Sequence, residues 1–310
     1  MTATFLVEEA GLLTTIQDLG RPQAVAAGVT PGGAMDRFAH TAANLLVGND
    51  RSAATLECTL IGPRLIVQRP CLIAIAGADL DARINGEIAP MWTGFDVVEG
   101  DAISFGRRRT GARAYVAVAG GMVGDRWLGS MSTDLLAARG GMRGRALRRG
   151  DVVFSANQEF PDVAGRSLAA GLGPDYGERV LRAVAGPHAG RLTPRSRDAL
   201  FGSPFGLRHD SNRMGYRLEG VTLDAPGDEL LSFALVPGVV QLPAGGRPIL
   251  LMADHQTAGG YPVVAVVVSA SMPVAGQLAP GDEIRFEEIA VERALLLRAA
   301  QRAALESLTS

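Results

Sequence analysis

GDAISF, residues 100–105, and GDEIRF, residues 281–286, repeat one phrase in two distant parts of the chain, Gly-Asp-x-apolar-x-Phe. Gly and Asp favour tight turns, and alternation of apolar and polar residues is the period of a half-buried strand. Each copy therefore predicts a turn feeding a strand. A second echo keeps the same order, with Asn49…Leu56-Glu57 against Asn212…Leu218-Glu219. Further β-branched or alternating runs lie at residues 64–67, 72–76, 97–98, 115–118 and 263–268, punctuated by 39 glycines and 17 prolines. Many short strands with turn signals between them point to β-barrels or sandwiches. The two echoes predict a duplicated β unit, with one β lobe over residues 1–156 and another over 178–290. Between them the stretch NQEFPDVAGRSLAAGLGPDYG, residues 157–177, keeps neither period and reads as a linker.

Helical periodicity is confined to a few places. In MDRFAHTAANLLVGN, residues 35–49, Met35, Phe38, Ala39, Ala42, Leu45 and Leu46 recur at helical spacing. Asp36 favours the positive N-terminal end and Gly48 supplies a left-handed stop. A C-terminal helix over residues 291–310 follows from ALLLRAAQRAALESL, which has no internal Gly or Pro.

All 30 basic residues counted as Lys and Arg are arginine, and lysine is absent from the 310 positions. That excludes a Schiff-base lysine, a GKS/GKT phosphate loop and a covalently held biotin or lipoate. A net charge of −2 offers no footprint for nucleic acid or an anionic membrane. The basic clusters Arg107, Arg108, Arg109 and Arg143, Arg145, Arg148, Arg149 read as solvated loops or as a face for an acidic partner. Cys58 and Cys71 lack metal or redox spacing, so free buried thiols in a reducing compartment are expected. Two glutamates interrupt MTATFLVEEAGLL where a signal peptide needs an apolar core, which predicts a cytoplasmic protein. His40, His188, His209 and His255 form neither HxH nor HExxH, so no metal site is expected. GxSxG and a strand-following GxGxxG are also missing.

The densest polar phrase is ADHQTAGGYP, residues 253–262, set between the apolar runs PILLM and VVAVVV. A strand-loop-strand placement gathers Asp254, His255, Gln256 and Thr257 at one end of a sheet. Asp254 and His255 could share proton transfer while Gln256 or Thr257 holds a carbonyl or carboxylate. Gly259 and Gly260 would admit a ligand to the backbone, with Tyr261 as a wall. The same spacing also fits a tight hairpin whose Asp and Thr satisfy backbone donors. HDSNRMGYRLEG, residues 209–220, places Asn212, Arg213 and Met214 before a turn glycine. Arg213 suits bidentate recognition of a carboxylate, and equally a surface ion pair. Near the N-terminus, TTIQDLGR offers Gln17, Asp18 and Arg21, and TPGGAMDR opens a Gly32-Gly33 loop into the predicted helix. Such a loop exposes N–H groups to an anion, or is an ordinary helix entry.

Taken in order, GLLTTIQDLGR (11–21), PGGAMDRFAHTAANLLVGN (31–49), LECTLIGP (56–63), YVAVAGG (115–121), LGSMST (128–133), SNRMGYRLEG (211–220) and LLMADHQTAGGYP (250–262) resemble the allophanate hydrolase subunit 2 family. It is also called the biotin-dependent carboxyltransferase family and includes the KipA protein and the C subunit of bacterial 5-oxoprolinase. The likeness covers roughly residues 5–290.

The resemblance implies a mainly β fold of two cyclophilin-like β-barrel lobes with a few short helices. It also implies action with a KipI-like B subunit, of the allophanate hydrolase subunit 1 type, and with a further A subunit. The leading functional expectation is a component of an ATP-dependent 5-oxoprolinase, opening 5-oxoproline to glutamate. One alternative is a carboxyltransferase half-site, taking carboxybiotin from a separate carrier and acting on urea or a related amide. Another is a non-enzymatic KipA-like protein that binds an inhibitor of a histidine kinase. In each the expected ligand is a small amide or a protein partner, with ATP used by the complex and no cofactor bound covalently to this chain. The family phrases fall on Gln17, Asp18, Met35, Asp36, Asn212, Arg213, Met214 and residues 254–262. Asp254, His255, Gln256 and Thr257 are the expected catalytic group. Gly259, Gly260, Tyr261, Asn212, Arg213, Met214, Gln17, Asp18, Met35 and Asp36 are the expected substrate contacts. Two departures stand out: Gln23-Ala24 replace the usual Gly-aromatic pair, and Gly186-Pro187-His188 replaces Gly-Pro-Gln.

Overall fold

A computed structural model describes residues 1–156, 163–227 and 230–309. Residues 157–162 of the expected linker and residue 310 of the expected C-terminal helix lie outside the described residues. The chain is mainly β, as expected, and divides into two compact units. The first takes Met1–Arg21, Gly32–Tyr176 and Gln301–Ser310, the second Pro22–Pro31 and Gly177–Ala300.

In the first unit a seven-stranded sheet runs in the order Met122–Val123, Val152–Ser155, Thr2–Glu9, Arg64–Val67, Ala102–Phe105, Ala82–Ile84, Glu87–Ile88. A five-stranded sheet follows the order Leu13–Gln17, Thr55–Thr59, Thr110–Val118, Cys71–Asp79, Gly94–Val97. Phe5, Val7, Leu65 and Val153 from the former meet Ile16, Leu56, Ile73 and Val116 from the latter in one core. The strand Cys71–Asp79 of this sheet is buried on both faces, because Leu72, Ala74 and Ala76 pack under helix α1 (Arg37–Leu46). Two buried faces explain the unbroken apolar run that the sequence shows there. Helix α1 presents Phe38, Ala42, Leu45 and Leu46 to that face. Each large apolar side chain buried in this way contributes roughly 2 kcal/mol. Asp36 caps the helix by accepting the Ala39 N–H at 2.9 Å, and Gly48 ends it at φ 75°.

His40 lies wholly inside this packing, its Nδ1 2.9 Å from Thr55 Oγ1. Burial pushes the imidazole down to about 4, against the opposing pull of the Asp18 and Glu57 charges. The unfolded chain takes up this proton near pH 6.5 and the folded one only near 4. The stability is therefore complete above pH 6.5 and is lost as pH falls toward 4, by about 3 kcal/mol. Urea unfolding at successive pH values should show the loss, and His40→Gln should flatten it. Parallel curves for the two proteins would contradict this account.

The second unit is a closed barrel in the order Val180–Ala185, Val263–Val267, Val239–Gln241, Ile249–Leu251, Gly215–Gly220, Phe205–Leu207, Glu283–Glu288. Its last strand returns beside its first in parallel, Val180 opposite Arg285 through Ala183 opposite Glu288. Closure leaves no unpaired edge around the ring. Phe205 and Phe286 meet at 5.9 Å, and both are buried. Helix α2 (Pro194–Gly202) starts at Thr193, whose hydroxyl accepts the Ser196 N–H. Helix α3 (Met272–Gly276) follows the strand Val263–Val267, and α4 (Val291–Glu306) is divided between the units, its residues from Gln301 onward belonging to the first.

The repeated phrase is a turn. At Asp101 and Asp282 the carboxylate accepts an N–H three residues back, from Val98 at 2.8 Å and Ala279 at 2.9 Å. The preceding Gly100 and Gly281 sit at φ 90° and 88°. GDVVFS, residues 150–155, builds the same turn a third time, with Gly150 at φ 86° and the Arg148 N–H on Asp151 at 2.7 Å. GDVVFS carries its Phe one place earlier than the repeated phrase, so the Asp-capped glycine turn is a way of entering a strand that is wider than the phrase itself.

Cys58 and Cys71 are free and buried. Burial pushes the Cys71 thiol up to about 12 and Cys58 higher still. Among the described residues no helix is long and apolar enough to cross a membrane.

Candidate functional site

In the second unit the barrel strands Ile249–Leu251 and Val263–Val267 hold the predicted loop between them, with a two-residue strand Ala258–Gly259 inside it. Asp254 and Arg213 form a bidentate pair, Nε to Oδ2 at 2.8 Å and Nη2 to Oδ1 at 3.0 Å. The Asp254 N–H also donates to the Arg213 carbonyl at 2.8 Å. Two phrases that sequence spacing treats separately are thus one clamp, and only 9% of the Arg213 side chain is exposed. Asn212 Oδ1 accepts the Met214 N–H at 2.8 Å, an Asx turn that sets the entry to the strand Gly215–Gly220.

His255 is 1% exposed. Its Nδ1 lies 2.7 Å from the Gln256 carbonyl, which only accepts, so the proton sits on Nδ1 and Nε2 carries the lone pair. Burial lowers this imidazole's pKa, so the ring is neutral at pH 7. The Gln256 side chain donates from Nε2 to Gln241 Oε1 at 3.2 Å. Two polar atoms around Gln256 then find no partner among the described residues, the acceptor His255 Nε2 and the donor Gln241 Nε2. Gln241, 1% exposed on the strand Val239–Gln241, is the residue sequence reasoning missed. A buried polar residue inside the apolar stretch VPGVVQLP was the available signal. The Thr257 carbonyl accepts the Leu235 N–H at 3.0 Å. Gly260 and Tyr261 lie elsewhere along the loop, lining a concavity of about 390 Å³ with Arg191, Asp224 and Leu242. The His188 departure is compensated, since its Nδ1 accepts the Val263 N–H at 3.1 Å, as a glutamine oxygen could.

The N-terminal candidates belong to the first unit and form a buried polar cluster. Asp18 Oδ1 accepts the Gly20 N–H at 2.7 Å and the Ser130 and Ser132 hydroxyls at 2.6 Å each. Its Oδ2 accepts the Met131 N–H at 2.6 Å. Gln17 Nε2 donates to Thr15 Oγ1 and to the Thr133 carbonyl. The Met35 N–H and the Tyr115 hydroxyl both reach Glu57 Oε2, at 2.9 and 2.7 Å. Asp36 donates its N–H to the Tyr115 oxygen at 2.8 Å and accepts the Tyr176 hydroxyl at 2.6 Å. Burial, reinforced by Glu57, pushes the Tyr115 pKa well above its ordinary range, so the phenol keeps its proton. Ser130 and Ser132 in LGSMST, Glu57 in LECTLIGP and Tyr115 in YVAVAGG all lie in the family phrases, yet sequence reasoning singled out none of them as a site residue. Among the described residues no cluster of three or more His, Cys, Asp or Glu could hold a metal ion.

The sequence profile of the carboxyltransferase domain, subdomain A and B, matches residues 27–288. The chain is 39% identical over 302 residues to the C subunit of 5-oxoprolinase from Escherichia coli (strain K12), covering 96% of both. It is 33% identical over 329 residues to the urea amidolyase of Lachancea kluyveri, covering 98% of this chain and 18% of that one. Among solved structures, the K. lactis urea amidolyase superposes with a TM-score of 0.92 at 28% identity. That match covers 99% of this chain and 20% of the other. TTHA0988 superposes with a TM-score of 0.81 at 34% identity, covering 92% of this chain and 55% of that one.

Proposed function

Since the chain belongs to the carboxyltransferase domain family, subdomains A and B, we propose that it is the C-type component of an ATP-dependent 5-oxoprolinase. The supporting observation is the end-to-end match to a 5-oxoprolinase C subunit, 96% of each chain, where the urea amidolyase match takes in 18% of the larger protein. In this reading the chain works in the cytoplasm with a KipI-like B subunit and an A subunit, and its substrate is a cyclic amide.

The loop at residues 253–262 is the proposed centre. An amide in the cis form, such as a lactam, presents an N–H and a C=O side by side. His255 Nε2 offers an acceptor and Gln241 Nε2 a donor, both oriented by Gln256. A neutral His255 can accept a proton from an attacking water and pass it to the ring nitrogen as the C–N bond breaks, and Gln241 can hold the carbonyl oxygen. Thr257 orients substrate beside them and Gly259 lets the backbone approach it, while Gly260 turns the loop where a Cβ would meet the Leu230 carbonyl oxygen at 2.8 Å. Tyr261, with Asn212 and Met214, borders the approach, and the Arg213–Asp254 clamp fixes the loop. In the first unit Gln17, Asp18, Met35 and Asp36 are proposed to shape the loop that opens into α1. ATP supplies the driving force for amide opening when it is bound to the complex.

The test is co-expression of this chain with its B and A partners, followed by assay of ATP-dependent glutamate formation from 5-oxoproline. Full activity without this chain would refute the reading. Because the His255 pKa is lowered, turnover that depends on its neutral ring should persist as pH falls past 6.5 and fail only below that value. A loss centred at or above pH 6.5 would remove His255 from the role. A carboxyltransferase reading draws on the TM-score of 0.92 to the urea amidolyase. The absence of lysine means that a separate carrier must then bring carboxybiotin. A neighbouring biotin carboxylase and carrier gene would favour it.

A further inference from the structure

The segment from Asp125 to Gly144 encloses a second concavity, of about 630 Å³, that has no part in the proposed amide chemistry. Its lining includes Trp127, Arg126, Arg139, Arg143 and Asp125. The three arginines are exposed, and no carboxylate lies within ion-pair distance of any of them among the described residues. Arg126 reaches the Gly129 carbonyl at 3.3 Å, which leaves most of the guanidinium donors of the three turned to solvent. Three guanidinium groups against one carboxylate make the cavity strongly positive. Trp127 is held from behind, because the fully buried Arg21 guanidinium lies 4.8 Å from its ring centroid. Arg21 is itself anchored to the Ser132 carbonyl and lies 3.7 Å from Asp134. One ring face is thus covered by a buried cation, and the half-buried ring lines the cavity.

The backbone of this segment is tightly wound on itself. Gly140 and Gly144 adopt φ 73° and 68°, and a Cβ would meet the Ser132 carbonyl oxygen at 2.3 Å or the Ala138 carbonyl carbon at 2.0 Å. Ala138 and Arg143 hold left-handed φ of 52° and 54°, which residues with a Cβ rarely adopt. Strain of this kind is retained where the surrounding structure over-determines it, as at ligand clamps.

We propose that this concavity is a nucleotide-binding site. A planar base stacks on Trp127, phosphate oxygens are taken by Arg126, Arg139 and Arg143, and Asp125 accepts from ribose hydroxyls or an amino group. Guanidinium groups provide the bidentate phosphate recognition that a lysine loop would otherwise supply. The acceptor Asp125 favours a ligand that also carries N–H or O–H donors over bare phosphate. The cavity volume suits such a ligand. The proposal goes beyond the 5-oxoprolinase reading, which places ATP only in the complex, and it stands on the geometry alone.

Direct titration of the full chain tests it without any turnover assay, so failure of the 5-oxoprolinase reading leaves it standing. The chain holds two tryptophans, Trp92 and Trp127. ATP should quench emission saturably, and Trp127→Phe should abolish the change while Trp92 still emits. By calorimetry, Arg139→Gln/Arg143→Gln should weaken ATP at least about tenfold, with an unchanged melting temperature. Adenosine and tripolyphosphate should each bind at least about tenfold more weakly than ATP. No saturable ATP binding would overturn the proposal, as would tripolyphosphate or glutamate binding as tightly as ATP. So would a double variant that binds ATP normally yet no longer joins its partner proteins, since the arginines would then be a protein-docking face.

Discussion

Arg213→Met lowers the melting temperature of the second unit by roughly 10 °C and cuts turnover of the assembled complex at least about tenfold. The guanidinium is one half of a bidentate pair whose side chains are 9% and 17% exposed. Removing it leaves the Asp254 carboxylate largely out of water with two acceptor positions emptied. Breaking a buried pair in this way costs about 3–5 kcal/mol, and the remaining solvent access brings the figure toward the lower end. Arg213→Lys should recover only part of the loss, because an ammonium cannot reproduce the fork that engages both oxygens. The double variant Arg213→Met/Asp254→Leu separates two roles. It removes the stranded charge and should regain most of the stability, yet turnover should stay low because the loop carrying His255 is no longer clamped. Calorimetry of the three variants beside the assembled assay gives the answer. A melting temperature within about 2 °C of the parent for Arg213→Met would show that the clamp is dispensable.

Asp18→Ala should destabilise the first unit by about 4 kcal/mol. The side chain gathers four donors in a place where water cannot replace it: two backbone N–H groups and two serine hydroxyls. Hydrogen bonds to a charged acceptor contribute about 1.5–3 kcal/mol each, and four on one carboxylate do not add fully. Asp18→Asn discriminates among them. The hydroxyls of Ser130 and Ser132 can rotate to suit a new partner, but the Met131 N–H cannot, so an amide nitrogen at Oδ2 puts donor against donor. We expect Asn to lose about half of what Ala loses, measured as the shift in urea midpoint at constant slope. A variant that unfolds at the parental midpoint would show that the serine–aspartate cluster is not what holds the loop at residues 128–133.

Much of this architecture was legible before any coordinates. Strand runs, helix α1 with its Asp36 cap and the strand-loop-strand setting of residues 253–262 all follow from period and turn chemistry. What escaped was long-range. What GDAISF and GDEIRF share locally is an Asp-capped glycine turn, and the same turn forms at residue 150 without the rest of the phrase. Local chemistry repeats wherever the local task repeats. The partners of Gln241 and Glu57 were hidden for the opposite reason. Gln241 and Glu57 each sit in a strand whose neighbours give no sign that a buried partner, Gln256 or Tyr115, waits far along the chain. Composition was informative chiefly by exclusion. The missing lysine ruled out a phosphate loop, but it could not show that arginines from one loop gather around Trp127.

The parallel pairing of Val180–Ala185 with Glu283–Glu288 fixes when the second unit can mature during synthesis. The strand that seals the ring is made after every other strand of that unit. Until it leaves the ribosome, the first strand has one neighbour instead of two and offers a bare edge to any passing chain. Pairing across so long a sequence separation is slow, and nascent chains with open edges are prone to aggregation. Truncation anywhere before residue 288 should therefore yield insoluble product, and wild-type chains should engage chaperones late in translation. Yield in cells would then respond to temperature and elongation speed more strongly than the stability of the finished molecule suggests.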